Sequence, residues 1–257
     1  MKHACMKLLL CYYGLSYHSS YKHRKYDDPI SLDMNKIHTN NYAKLIHPLS
    51  QSHQVHIAIS TNMSHMLHQY LLWLAPVFVD TEAKNERERI ANLMRFAMKG
   101  AYDAVVLTRC DLMLKCSIEH IHIDWTKANF AFRQVNYTRW KKLKFRKIPI
   151  YNKTEVCNVF SIVPFKLFCT FETAYRGYID NDMSHHVAEH LNANDVHFMI
   201  DDRYQSNCDI VQNPIYTFTR TLDLGLVPEL HHKIKRLVDA VKLLRKHLQE
   251  RGSIAYS

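Results

Sequence analysis

The stretch Tyr102-Asp-Ala-Val-Val-Leu-Thr-Arg-Cys-Asp-Leu112 decides the fold class of this chain. Its centre, 104–108, is apolar or β-branched without interruption, which is typical of a central parallel strand that is covered on both faces. Arg109 and Asp111 follow directly, where the carboxyl end of this strand should lie. Ligands of open α/β sheets bind beyond the carboxyl ends of the strands. These two side chains are therefore the first candidates for a binding site, and a purely structural Arg–Asp pair is the alternative.

The residues before this stretch alternate between strand and helix patterns. Gly100 provides a stop for a strongly helical segment, and Gly14 ends an apolar run that is typical of a buried first strand. The predicted elements are a strand over 7–13, a helix over 33–50 closed by His47-Pro48, a strand over 55–60, a helix over 62–73, a strand over 76–79 and a helix over 85–99. This alternation predicts an α/β fold with a mostly parallel sheet flanked by helices.

The second half of the chain has a less regular pattern. It predicts an edge strand or hairpin arm over 141–148, a strand over 156–163 ended by Pro164, helices over 165–176 and 182–192, and an amphipathic C-terminal helix over 228–251. No internal repeat or clear linker is present, so we expect a single domain over 1–257. Its expected parts are a regular strand–helix half over 1–112, a less regular half over 113–220 and a C-terminal helical region over 221–257.

Composition excludes several classes of protein and indicates others. The chain has only five glycines, all far apart, so it contains neither a dinucleotide-binding glycine fingerprint nor a P-loop. Its formal charge of +10 at pH 7 favours an anionic partner. Its seven cysteines form no CxxC pair, and no apolar run is long enough to span a membrane. We therefore expect reduced thiols and a cytoplasmic protein.

Four segments resemble motifs of nucleotide-sugar glycosyltransferases from bacteria and large DNA viruses. The segment 102–115, YDAVVLTRCDLMLK, is similar to the family pattern YD-x-V-hydrophobic-x-TR-x-D-L. The others are Tyr13-Gly14 at the end of the first strand, the segment 156–164, which resembles N-x-F-x-x-x-P, and 213–216 with Arg220, which resembles N-P-x-Y…R. Their order and spacing cover 7–220, which is most of the chain.

This resemblance implies a GT-A-like fold and the transfer of a hexosyl or pentosyl group from a nucleotide-diphosphate donor. It implies that 1–112 is the nucleotide-sugar-binding half and 113–220 the acceptor-side half, and that the protein lies in the host cytoplasm if the chain is viral. The acceptor would be a hydroxyl of a glycan, a glycoprotein or another molecule. In such folds a D-x-D element binds the donor diphosphate through Mn²⁺ or Mg²⁺, and here Asp111 would be the metal ligand. Arg109 stands where the first acid of D-x-D is usual, and Cys157 stands where an acid precedes Asn158. The residues expected to bind the donor are Tyr12, Tyr13, Gly14, Arg109 and Asn158.

The catalytic base is expected to be a carboxylate on the acceptor side. Asp180, Asp182 and Asp202 are the candidates, because a transfer with inversion needs one carboxylate to take the proton of the acceptor hydroxyl. Asp180-Asn181-Asp182 also precedes a predicted helix, where these residue types act as N-caps. The sequence does not choose among the three.

Two other patterns support alternative functions. The run 139–147, RWKKLKFRK, interleaves cations with Trp140 and Phe145, as in a surface that binds nucleic acid or an acidic polymer. A solvated strand face gives the same pattern, and no recognised nucleic-acid motif is present. His186-Val-Ala-Glu189-His190 matches the zinc-protease motif H-x-x-E-H. With 18 histidines in the chain, a chance match on a helix explains this motif as well.

Overall fold

The computed structural model describes residues 5–14, 34–61, 65–134, 156–157, 159–177, 187–200, 203–204 and 214–218. A seven-stranded sheet with the order β3-β2-β1-β4-β8-β6-β9 forms the centre of this part of the chain. Its strands are β1 (Lys7–Tyr13), β2 (Gln54–Ser60), β3 (Phe78–Asp80), β4 (Ala104–Arg109), β6 (Ala128–Phe130), β8 (Phe160–Pro164) and β9 (Val196–Phe198). The predicted α/β fold with a mostly parallel sheet flanked by helices is confirmed.

β8 runs antiparallel to the other six strands of this sheet. β4 pairs in parallel with β1 but antiparallel with β8, and β8 is also antiparallel to β6. The sequence predicts β4 as a central strand, which is confirmed. Its apolar run does not reveal the direction of each neighbour, because burial on both faces produces the same pattern in either case.

Helices cover both faces of the sheet. On one face lie α1 (Met34–Asn41), a π-helical turn (Tyr42–Ile46), α2 (His47–Ser50) and α3 (His65–Leu74), which pack on Leu8, Leu10 and Tyr12 of β1. On the other face lie α4 (Glu86–Lys99) and α5 (Phe168–Gly177), which pack on Leu9, Cys11 and Tyr13. The alternating residues of β1 therefore contribute to two separate apolar clusters, as expected for a strand covered on both sides.

Helix α4 shows how local sequence sets an element's limits. The side chain of Asn85 caps its start and accepts a hydrogen bond from the backbone N–H of Glu88 at 2.9 Å. Gly100 ends it, and the Gly100 N–H donates to the carbonyls of Phe96 and Ala97 at 3.1 Å. Because both ends are marked by residues suited to caps, the sequence predicts this helix almost to the residue.

Three predicted elements differ from the structure. The predicted helix over 33–50 does not close at His47-Pro48. A π-helical turn, in which the His47 N–H donates to the Tyr42 carbonyl, comes before Pro48, and α2 then continues to Ser50. The predicted strand over 156–163 is shorter: β8 starts at Phe160 and includes Pro164 as its last residue, where a missing N–H is tolerated. Residues 187–190 of the predicted helix over 182–192 form a 3-10 turn.

Shorter elements attach the second half of the chain to this sheet. β5 (Leu112–Leu114) pairs antiparallel with β11 (Tyr216–Phe218), and β7 (Arg133–Gln134) pairs in parallel with β10 (Arg203–Tyr204). Single 3-10 turns occupy Ile118–His120, Phe165–Leu167 and Ala193–Asp195. The predicted strand over 141–148 and the C-terminal helix over 228–251 lie outside the described residues.

The strand order determines where a ligand crevice can form. From β1 the chain moves outward to β2 and then β3 on one side, and returns through α4 to β4 on the other side of β1. The order therefore reverses between β1 and β4. In open α/β sheets the crevice outside the carboxyl ends of the strands at such a reversal is the usual ligand site.

Candidate active site at the carboxyl ends of β1 and β4

At this reversal the edge of the sheet is formed by Tyr13, the last residue of β1, with Gly14, and by Arg109, the last residue of β4, with Cys110 and Asp111. The Cys110 N–H donates to the Tyr13 carbonyl at 3.0 Å, which holds the two strand ends together. Gly14 has a φ of 103°, a conformation that glycine adopts without the steric cost of a side chain. The side chains of Tyr12 and Tyr13 are fully buried on opposite faces, so the backbone of this turn is the part that faces the edge.

Arg109 and Asp111 form a bidentate ion pair at this edge. The Nε of Arg109 donates to Oδ1 of Asp111 at 2.9 Å, and Nη2 donates to Oδ2 at 3.0 Å. The side chains are 20% and 12% exposed, respectively. Two parallel N–H···O bonds fix the plane of the guanidinium as well as its position. The structure therefore brings the two predicted residues into direct contact.

Glu86 is a third member of the site, which the sequence analysis missed. It is the first residue of α4, and its Oε2 lies 3.7 Å from Nη1 of Arg109. The sequence holds a weak signal for it: a helix that follows β3 begins at the same edge of the sheet as the end of β4. The two acids hold Arg109 from two different elements.

The charges around Arg109 affect its protonation. Burial alone would lower the pKa of Arg109, but the nearby carboxylates of Asp111 and Glu86 outweigh this effect and raise the pKa above its usual range. The guanidinium therefore stays charged at neutral pH. Burial, together with the charge of Asp111, raises the pKa of Cys110 to about 12. The Cys110 thiol thus stays protonated at neutral pH and does not serve as a nucleophile.

The loop before α4 is held rigid by Asp80, the last residue of β3. Its carboxylate accepts hydrogen bonds from Ser60 Oγ at 2.7 Å and Asn92 Nδ2 at 2.8 Å, and from the backbone N–H of Glu82 at 3.0 Å. Burial alone would raise the pKa of Asp80, but these hydrogen bonds lower it overall. Asp80 is thus occupied in shaping the loop that brings Glu86 to the edge.

Two of the other family-like segments reach the same region. β11, which contains Tyr216, pairs with β5 immediately after Asp111. Cys157 Sγ lies 3.3 Å from the Tyr216 hydroxyl, and both side chains are buried. Because Cys157 and Tyr216 are 59 positions apart, only the fold brings these segments together.

The described residues do not form a ready site for a divalent cation. Both carboxylate oxygens of Asp111 already accept hydrogen bonds from Arg109, and no group of three or more His, Cys, Asp or Glu in the described ranges is placed to hold a metal. A doubly charged ion on Asp111 would stand about 4 Å from the guanidinium. At an effective dielectric constant of about 20, the repulsion would be roughly 8 kcal/mol.

The remaining predicted site residues lie outside the described part of the chain. These are Asn158, Asp180, Asp182 and Asp202, together with His186 and the basic run 139–147. Glu189 and His190 of the H-x-x-E-H match are exposed. Within the described ranges, no helix combines the length and apolar character needed to cross a bilayer.

Comparisons with known proteins give structural likenesses but no match in sequence. No protein-family model matches the chain, and no curated protein matches it in sequence. Its structure is similar to a crystal structure from Desulfovibrio desulfuricans G20, described as a "putative nucleotide-diphospho-sugar transferase". The two share 12% identity over 92% of this chain and 96% of that chain, with a TM-score of 0.44.

Proposed function

We propose that this protein is a glycosyltransferase that moves a sugar from a nucleotide-diphosphate donor to a hydroxyl of a glycan or another acceptor. The observation that carries the proposal is the position of Arg109. Its charged guanidinium lies at the crevice between β1 and β4, where the strand order reverses. The segments that resemble the family's TR-x-D-L and N-P-x-Y motifs also meet there, through the pairing of β5 with β11.

In this proposal the donor diphosphate binds at the edge beside Arg109. The guanidinium offsets the phosphate charge and the negative charge that develops on the leaving group. The backbone at Tyr13 and Gly14 contacts the nucleotide, and the positive φ of Gly14 allows the chain to turn away without a side chain in the crevice. With no glycine-rich loop in the sequence, side chains take the role of holding the phosphate.

The transfer step needs a base for the acceptor. The acceptor oxygen forms a bond to the anomeric carbon while the bond from that carbon to the diphosphate oxygen breaks, and the nucleoside diphosphate leaves. The hydroxyl proton passes to a carboxylate, for which Asp180, Asp182 and Asp202 are the proposed residues. Asn158 is proposed to contact the donor.

The divalent cation expected from the family resemblance stays a prediction. When bound, Mn²⁺ or Mg²⁺ would neutralise the donor's diphosphate, with Asp111 as its ligand. No step above depends on it, because Asp111 in this structure bonds to Arg109.

Ligand-induced thermal stabilisation tests the proposal. At least one of the nucleotides UDP, GDP, ADP and CDP, at millimolar concentration, should raise the melting temperature, because binding to the folded state stabilises it. In Arg109→Met the shift should be lost. Arg95→Met is the matched control, since Arg95 also pairs with a carboxylate, Glu172 at 3.1 Å, but lies farther along α4. If none of these nucleotides stabilises the wild type, with or without Mn²⁺, the donor site is wrong.

A further inference from the structure

We infer that Arg109 is a built-in cation that takes the place of the divalent ion in donor binding, and that Glu86 is the positioning residue that holds it there together with Asp111. The inference rests on the proposed function and concerns how the same site neutralises its ligand. It departs from the expectation of Mn²⁺ or Mg²⁺ at Asp111.

The geometry of the two acids around Arg109 supports this role. Asp111 comes from the end of β4 and Glu86 from the start of α4, and both carboxylates approach one guanidinium, at 2.9 Å and 3.7 Å. Two carboxylates from different elements that converge on one positive charge form the kind of donor set that often binds a metal ion. Here a side chain of the protein occupies that central position.

The charge at this position has the sign that the role requires. Arg109 stands at the place of the first acid of a D-x-D element, as the arginine of the TR-x-D-L pattern does. Relative to D-x-D, a guanidinium in place of a carboxylate makes the local charge two units more positive, which equals the charge of the ion it would replace. A guanidinium also offers several N–H donors in one plane, an arrangement that suits phosphate oxygens.

The two acids hold Arg109 with different strength. Asp111 accepts two short hydrogen bonds, whereas the 3.7 Å contact of Glu86 is longer than a hydrogen bond. One fifth of the Arg109 side chain is exposed, so a phosphate can reach the guanidinium from solvent and exchange with the weaker contact. The bonds to Asp111 would keep the guanidinium oriented during this exchange.

A second arginine adds positive charge near the same edge. Arg89, one turn into α4, is only 5% exposed. The Asp80 and Glu86 carboxylates interact electrostatically with its guanidinium. Its Nε has no hydrogen-bond partner among the described residues. Arg89 and the positive end of the α4 dipole offset part of the negative charge of the acids around Arg109.

The first experiment measures nucleotide affinity with and without metal. Isothermal titration of the wild type uses whichever of UDP, GDP, ADP and CDP stabilises it, in EDTA and in Mn²⁺. We expect the two dissociation constants to agree within about threefold, whereas a larger weakening in EDTA would overturn the inference and leave the proposed function intact. If none of the four binds in either condition, the proposed function fails instead.

The second experiment asks whether Arg109 occupies a cation position, and it needs no nucleotide. Binding of Mn²⁺ is followed by its electron paramagnetic resonance signal for the wild type, Arg109→Met, Arg109→Met with Glu86→Gln, and Arg95→Met. We expect Arg109→Met to bind Mn²⁺ at least about tenfold more tightly than the wild type, because it leaves two carboxylates facing one another. The added Glu86→Gln should remove this gain, and Arg95→Met should match the wild type.

Two results of this titration would overturn the inference. One is tight Mn²⁺ binding by the wild type alone, and the other is no gain in a folded Arg109→Met. If Arg109→Met does not fold, the wild-type titrations with nucleotide and with Mn²⁺ decide the question.

Discussion

Asp111 has two possible roles, and the distinction depends on its own two oxygen atoms. As a metal ligand it would tolerate loss of the ion with little effect on folding, whereas as the partner of Arg109 it stabilises the folded state. In the structure both oxygens accept hydrogen bonds from the guanidinium. At the scale of this residue, stability is therefore the first property that a substitution should change.

We predict that Asp111→Asn lowers the free energy of unfolding by roughly 2 kcal/mol, below the 3–5 kcal/mol typical of a fully buried pair because both side chains are partly exposed. The amide has nearly the same size, but it loses the charge and one of the two acceptors that face Arg109. Urea denaturation at pH 7 measures the change. Asp195→Asn, which removes the partly buried partner of the exposed Lys166, is the control and should have a smaller effect. An unchanged midpoint for Asp111→Asn would contradict the role as partner of Arg109.

Helix α4 connects the packing of the sheet to the site. Its N-terminus carries Glu86 to the edge, and its C-terminus ends at Gly100 against the ring of Tyr102. That ring is 2% exposed, and Tyr102 is held by His56 Nδ1, 2.9 Å from its hydroxyl, and by the Lys7 ammonium 5.0 Å from the ring centroid. The ring therefore cannot move aside easily to make room for another atom.

We predict that Gly100→Ala destabilises the protein by about 1–3 kcal/mol, the usual cost of overpacking. A Cβ at this position would overlap the Tyr102 ring, with Cδ2 at 2.9 Å. Thermal denaturation followed by circular dichroism measures the effect. Gly177→Ala is the matched control, because a Cβ there meets no described atom within 4 Å and Gly177 ends α5. Equal melting temperatures for the two variants would contradict the predicted overlap between the added Cβ and the Tyr102 ring.

At the scale of the whole molecule, histidines on both faces of the sheet link folding to pH. Burial lowers the pKa of His38, and burial together with the nearby charge of Lys7 lowers the pKa of His56. In both cases the folded state binds a proton less readily than the unfolded chain. Their contribution to stability is therefore complete above the unfolded pKa of about 6.5 and is lost as the pH falls through the lower folded pKa.

We predict that the urea concentration at the unfolding midpoint of the wild type decreases as the pH is lowered from about 7.5 to about 5, the range in which histidines titrate. His38→Gln combined with His56→Gln should make this fall shallower, because two of the groups that cause it are then gone. Urea titrations of both proteins at several pH values measure the slope. An equally steep decrease of the urea midpoint in the double variant would show that other groups cause the loss of stability at low pH.

The sequence by itself determined the elements whose information is local. The uninterrupted apolar run of β4 and the capped, amphipathic pattern of α4 identify a buried strand and a surface helix. Together with the alternation before them they identify the α/β class. The position of Arg109 and Asp111 at a strand end follows in the same way, because both lie next to the predicted end of β4 in the sequence.

Only the tertiary structure decided which distant residues meet. The contact of Glu86 with Arg109, the pairing of β5 with β11 beside Asp111, and the antiparallel direction of β8 all join segments far apart in the chain. The bidentate bond that holds both oxygens of Asp111 also depends on side-chain conformations in the folded protein. Local hydrophobic patterns report whether a residue is buried, but they do not report its neighbour, since many partners bury the same surface equally well.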